Sequence, residues 1–190
     1  MATWIIIGIV IVIALYGISA YNSLVRMRNA VDNSWRQIDV QLKRRHDLIP
    51  NLVEAVKGYM QFERDTLTQV VEARNRAVAA PTQGARVEAE NQLTAGLGRL
   101  LALMENYPQL KSDQNVLQLQ EQLTTTENQI SFSRQAYNDA VLQLNNRIET
   151  FPTNLIASNF GFHPAEYFKA APKDQTLPKV DLSLGSTPRA

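Results

Sequence analysis

Cysteine is absent from this 190-residue chain, which excludes disulfides, thiolate nucleophiles, Cys-ligated zinc, iron–sulfur clusters and a cysteine-linked lipid anchor. Histidine occurs only at His46 and His163, and neither has an acid three residues before it. The Glu-x-x-His elements of a di-iron bundle are therefore missing, and no metal site is expected. Charge of one sign is missing too. Lys and Arg number 19 against 18 Asp and Glu, a formal +1 that offers no field for steering nucleic acid or an acidic substrate. No dinucleotide-binding Gly-x-Gly-x-x-Gly, Walker A loop, His-Glu-x-x-His or Gly-x-Ser-x-Gly is found, and the carboxylates are scattered through amphipathic stretches. The expectation is no catalytic residue, no cofactor and no nucleic-acid partner. The length suits one domain plus an appendage.

What is present begins with an apolar run. The first charged side chain is Arg26, and about 20 helical residues suffice to cross a bilayer. The competing reading is a cleaved signal peptide. Against it stand the lack of Lys or Arg before the run and the absence of a clean Ala-x-Ala site, Ile18-Ser19-Ala20 being a poor one. Residues 1–25 are thus expected to be a retained transmembrane anchor. Trp4, Tyr16 and Tyr21 are either interface anchors or apolar filling. Arg26, Arg28 and Arg36 follow the span, with Lys43, Arg44 and Arg45 beyond. By the positive-inside rule, the N-terminus is expected outside and the C-terminal domain in the cytoplasm.

Residues 26–168 read as an antiparallel bundle of about four long helices, all-α. Leu24, Met27, Val31, Trp35, Ile38 and Leu42 recur at steps of three and four, and no Gly or Pro separates Ala20 from Pro50. That pattern predicts a membrane helix running straight into the first bundle helix. A second helix is expected from an Asp47 cap, with Pro50 in its first turn, to Ala80. Its inward residues would be Val53, Val56, Met60, Leu67, Val71 and Val78, with Gly58 tolerated inside it. A third should run from Ala85 to Tyr107 with Leu93, Leu97, Leu100, Leu101 and Met104 inward. Gly96 and Gly98 within it signify either close approach of a neighbouring backbone or a locally weaker helix.

The fourth helix, capped by Ser112, has the clearest pattern. Val116, Leu123, Ile130, Tyr137, Leu144 and Phe151 fall at intervals of seven, and Leu119, Thr126, Ser133 and Ala140 form a second row. A sustained seven-residue repeat implies a left-handed, coiled-coil-like seam. Polar Thr126 and Ser133 favour unequal helices of a bundle over a dimeric coiled coil. Glu121, Glu127 and Arg134 are read as a solvated face or as a buried ion network with Glu72 or Arg74. Beyond Phe151-Pro152, the rings of Phe160, Phe162, Tyr167 and Phe168 call for a segment folded back on the bundle, with His163 among them as a structural or surface histidine. Residues 169–190 read as a flexible C-terminal tail.

Lys43-Arg44-Arg45 is the one basic cluster, open to lipid contact, protein contact or simple solvation. Reversing Arg44 and Arg45 to Glu is expected to leave the bundle folded. The run YNSLVRMRNAVDNSWRQIDVQLKRRHDLIPNLVEAVKGYM and the later YPQLKSDQNVLQLQEQLTTTENQISFSRQAYNDAVLQLNNRIETFPTNLIASNFGF together resemble the LemA family of bacterial membrane-anchored proteins, over about residues 1 to 180. Positions matching its motifs include Trp35, Asp39, Arg44, Arg45, Pro50, Glu72, Arg74, Glu127, Arg134, Tyr137 and Asn138. The resemblance implies a transmembrane helix followed by a long helical bundle, no assigned catalytic residue, and company with envelope proteins such as membrane metalloproteases. One related branch is associated with building the magnetosome membrane. The expected function is a noncatalytic scaffold or adaptor of the bacterial cell envelope, anchored in the inner membrane, that forms a homo-oligomer or binds another membrane protein. The alternatives are a membrane-remodelling protein and an unrecognised lipid or cell-wall enzyme.

Overall fold

The computed structural model describes residues 1–168, and the tail expected at 169–190 lies outside them. The described residues are all-α. Helix α1 spans Ala2–Val56, α2 Arg64–Ala79, α3 Gln83–Met104, α4 Gln114–Glu149 and α5 Thr153–Asn159, with a short 3-10 turn at Gln61–Glu63. The anchor and the first bundle helix are one unbroken α1, as the missing Gly and Pro foretold. Its apolar stretch is wholly unburied within the chain, and burial begins at Ala20 and Leu24.

The second helix departs from expectation. Pro50 lies inside α1 instead of opening a new helix, and Asp47 is an exposed residue of the same helix. A proline removes one N–H and frees the carbonyl four residues back. Here that carbonyl belongs to His46, and Arg74 Nε of α2 donates to it at 3.2 Å. The helix stops instead at Lys57-Gly58-Tyr59, where the N–H groups of Tyr59 and Met60 both turn back to the Val56 carbonyl. The turn resets the helical phase. In consequence α2 buries Leu67, Val70, Ala73 and Ala77, and Val78, expected inside, is exposed.

The other boundaries shift less. Thr82 caps α3 by accepting from the Ala85 N–H at 3.2 Å. Asp113, rather than Ser112, caps α4, its Oδ1 accepting from Asn115 and Val116 N–H at 3.0 and 3.2 Å. A Cβ built on Gly96 would meet Val70 at an ordinary 3.7 Å and one on Gly98 would meet nothing, so neither glycine is required by the close approach of another helix of this chain. In the α4 seam Val116, Leu123, Ile130, Tyr137 and Leu144 are buried, whereas Phe151 lies beyond the helix end and is exposed.

Contacts fix the topology. Trp35 meets Tyr137, Arg45 meets Glu127 and Tyr59 meets Asp113, so α4 runs antiparallel to α1. Arg74 reaches His46, so α2 returns along α1. Arg86 pairs with Asp39 at 2.8 Å, which makes α3 parallel to α1. The α2–α3 hairpin completes the bundle far from the apolar stretch. Near that stretch, residues from α5 to Phe168 take over and pack on α1 and α4. Gly161, with φ of +70°, lets the chain reverse after α5, a conformation that glycine adopts without a Cβ clash.

Candidate functional site

The interior divides into two apolar clusters. One gathers Ile49, Leu52, Val56 and Leu123 with the inner faces of α2 and α3. The other gathers Leu24, Ile38, Leu42, Ile130 and Tyr137 with Phe162 and Phe168. Between them lies a polar layer built from four residues of three helices and one threonine.

Arg45 sits at its centre. It falls in phase with Ile38, Leu42, Ile49 and Leu52, and is 1% exposed. Its guanidinium donates to Glu90 and Glu127 and, at 2.9 Å, to Thr94 Oγ1. His46 Nε2 lies 2.7 Å from the second oxygen of Glu90. Burial by itself would raise the Glu90 carboxyl, but the His46 hydrogen bond and the neighbouring Arg45 charge outweigh it and leave it below the ordinary carboxylate range. Glu90 is thus ionised, and His46 Nε2–H donates to it. Below this layer, burial raises the Tyr137 hydroxyl, opposed by a hydrogen bond from Gln83 and assisted by the charges of Glu166 and Asp32.

The basic cluster therefore splits. Lys43 and Arg44 are exposed, and Arg45 is a core residue. Reversing Arg45 would place a third carboxylate against Glu90 and Glu127, so the expectation that both arginines can be reversed without loss of fold is corrected. A buried ion pair exists at Arg45 and Glu90, not among the residues expected, and Glu127 reaches it from a half-exposed position. Glu127 joins Arg45, Glu72 pairs with Arg76 on the surface at 4.0 Å, Arg74 serves the His46 carbonyl, and the Arg134 guanidinium lies 4.4 Å from the Phe168 ring centroid.

A second polar device holds the fold-back. Asn138 and Asn145, one heptad apart on α4, each clasp a backbone residue in both directions. Asn138 accepts from Phe168 N–H at 2.8 Å and donates to its carbonyl at 3.2 Å. Asn145 does the same for Ala165 at 2.8 and 3.0 Å. Tyr137 adds a bond to the Glu166 carbonyl at 2.9 Å. Phe162 and Phe168 are buried, while Phe160, Tyr167 and His163 are exposed. Trp35 packs edge-on against Tyr137 at 5.4 Å, a packing residue as expected.

Sequence reading missed Glu90 and the asparagine clasp. The signal for Glu90 was its phase, since it occupies the apolar row of Leu93, Leu97 and Leu100. A charged residue in that row has to find a partner inside. Among the described residues no group of three or more His, Asp or Glu is placed to hold a metal ion. What this arrangement does chemically is to pair buried charge and fix register: the two terminal nitrogens of Arg45 and both oxygens of Glu90 are engaged by other residues of the chain, while Arg45 Nε is buried without a hydrogen-bond partner.

Comparison with known proteins agrees with this architecture. The family model described as LemA family matches residues 34–182. Protein LemA of Metamycoplasma hominis is 27% identical over 151 residues, covering 79% of this chain and 69% of that one. Magnetosome protein MamQ 1 of Paramagnetospirillum magneticum is 26% identical over 182 residues, and Magnetosome protein MamQ of Magnetospirillum gryphiswaldense 25% over the same length. Each of these two covers 82% of this chain and 67% of its own.

Proposed function

The chain belongs to the LemA family, and from that premise we propose that it is a noncatalytic scaffold or adaptor of the bacterial cell envelope, anchored by a single span, whose helical domain self-associates or holds another membrane protein. The observation that carries this reading is the continuity of α1. An unburied apolar stretch passes without a break into the helix on which the bundle is built. A cleavage after Ala20 would cut through a residue 1% exposed and remove Tyr16, whose hydroxyl meets Thr153 Oγ1 at 3.3 Å. This supports a retained anchor. The arginines that follow the span support a cytoplasmic domain with the N-terminus outside, in the inner membrane. The noncatalytic reading is supported by family membership and by the engagement of the mid-bundle polar groups with one another. Phe62 and Phe132, both largely exposed on the bundle, supply apolar contact surface for a second copy or a membrane-protein partner.

A second reading, membrane remodelling, is favoured by the relatives named as magnetosome proteins. The test is single-particle imaging of the full-length protein gently released from its native membrane, with mass spectrometry of what accompanies it. A large closed homo-oligomer is the result expected of a scaffold, and a stoichiometric foreign subunit that of an adaptor. A curved membrane-facing assembly would favour remodelling. A lone monomer with no companion would overturn the proposal.

A further inference from the structure

The turn between α4 and α5 exposes several large apolar side chains, and it lies beside the span. From Thr150 to Pro164 the sequence contains no Asp, Glu, Lys or Arg. Phe151, Leu155 and Phe160 are 74%, 56% and 64% exposed. Short α5 turns Thr153 and Ala157 inward and leaves Leu155 outward, so the exposed rings are not a by-product of a loose segment.

Its position along α1 is fixed by contact. The Tyr21 ring packs edge-on against Phe160 and Phe162, at 5.1 and 5.7 Å between centroids. Thr153 meets Tyr16. Tyr16 precedes Tyr21 by five residues, roughly 8 Å down the helix axis toward the other end of the span. The elbow therefore reaches back along the anchor into the level of the apolar stretch, which the first charge, Arg26, does not enter. Just above, the Arg28 guanidinium lies 5.4 Å from the Phe162 ring centroid, and Arg26 and Glu149 are exposed. The vertical order is apolar groups, then aromatic rings, then charges, the order of a bilayer interface. Interfacial segments bury about 5–10 Å into the headgroup and acyl boundary, the same depth as the step from Tyr21 to Tyr16.

We propose that the α4–α5 elbow is a second membrane contact, in which Phe151, Leu155 and Phe160 insert into the leaflet from which the bundle emerges. The occupant of this surface is lipid, because its apolar groups continue the outer face of the span at the same level. Two points of attachment then hold the domain, and rotation of the bundle about the α1 axis is restrained by the elbow. This inference rests on the reading of α1 as a membrane span.

The chain's lack of cysteine permits a direct test. Single variants Leu155→Cys, Ile9→Cys and Gln61→Cys of the full chain carry a nitroxide label and are reconstituted in vesicles of phosphatidylethanolamine and phosphatidylglycerol. Relaxation by oxygen, which concentrates in the bilayer, is compared with relaxation by a water-soluble nickel chelate. The expected result is that the Leu155 label favours oxygen, as the Ile9 label does, while the label at Gln61, at the far turn, favours nickel. A Leu155 label as open to nickel as the Gln61 label, with Ile9 still in the bilayer, overturns the elbow contact and leaves the anchor standing. Shielding of Leu155 from both reagents also overturns it, since protein then covers the elbow. An Ile9 label in water overturns the span and this inference together.

Discussion

Glu90 stays ionised in the interior because it is never alone there: Arg45 donates to one oxygen and His46 to the other. Removing one partner from such a pair leaves the remaining charge uncompensated, at about 3 kcal/mol or more. Glu90→Gln keeps the shape and removes the charge, and is expected to lower stability by about that much at neutral pH, measured by chemical denaturation in detergent with far-UV circular dichroism. The pH dependence has a definite sign. The Glu90 carboxyl is held below its ordinary value in the folded state, so its contribution is complete above the unfolded value and is lost as pH falls through the folded one. The gap between wild type and Glu90→Gln should therefore narrow in acid. An equal gap at neutral and acidic pH would remove Glu90 from the linkage. Arg44, one residue from Arg45, is exposed, and the two arginines differ only in helical phase.

Phase also decides the behaviour of the helices. Pro50 lies in a helix interior, where a proline costs about 3 kcal/mol, and Arg74 answers the carbonyl it frees. Restoring the N–H with Pro50→Ala makes that donor redundant. Arg74→Ala is expected to destabilise the parent protein by about 1 kcal/mol and the Pro50→Ala background by clearly less. The double-mutant cycle reads this difference as a coupling energy, and strict additivity would sink the assignment. The same pair shows what could be read in advance. The seam of α4 was legible because five successive positions of the seven-residue repeat share one buried environment, from Val116 to Leu144. The junction at Pro50 was not, because local rules place proline in a first turn and the compensating donor comes from Arg74, 28 residues away in α2. Arg45 was misread for a related reason. Three adjacent basic residues look like one patch, and only the row through Leu42, Ile49 and Leu52 separates the third from the others. The backbone clasp by Asn138 and Asn145 had a periodic spacing but no partner in sequence, since the segment it holds is irregular.

At the scale of the whole molecule, the two apolar clusters are joined by α1 and α4, and Ile130 stands in the cluster nearer the membrane, fully buried. A carboxylate there has no partner and is costly to bury, so Ile130→Asp is expected to abolish the cooperative thermal transition. Phe132, two residues on and 72% exposed, should tolerate Ala within about 0.5 kcal/mol. Melting curves followed by circular dichroism check both, and a cooperative transition in Ile130→Asp would contradict this division of the core. The unbroken α1 has a mechanical consequence. A helix of 55 residues is about 80 Å long, and roughly 50 Å of it stands beyond the bilayer surface. Span tilt responds to bilayer thickness. With no joint between span and bundle, a change of about 10° in tilt sweeps the far tip through roughly 9 Å. In this respect α1 is a lever, whose long arm amplifies a tilt of its apolar end into a displacement of the far tip.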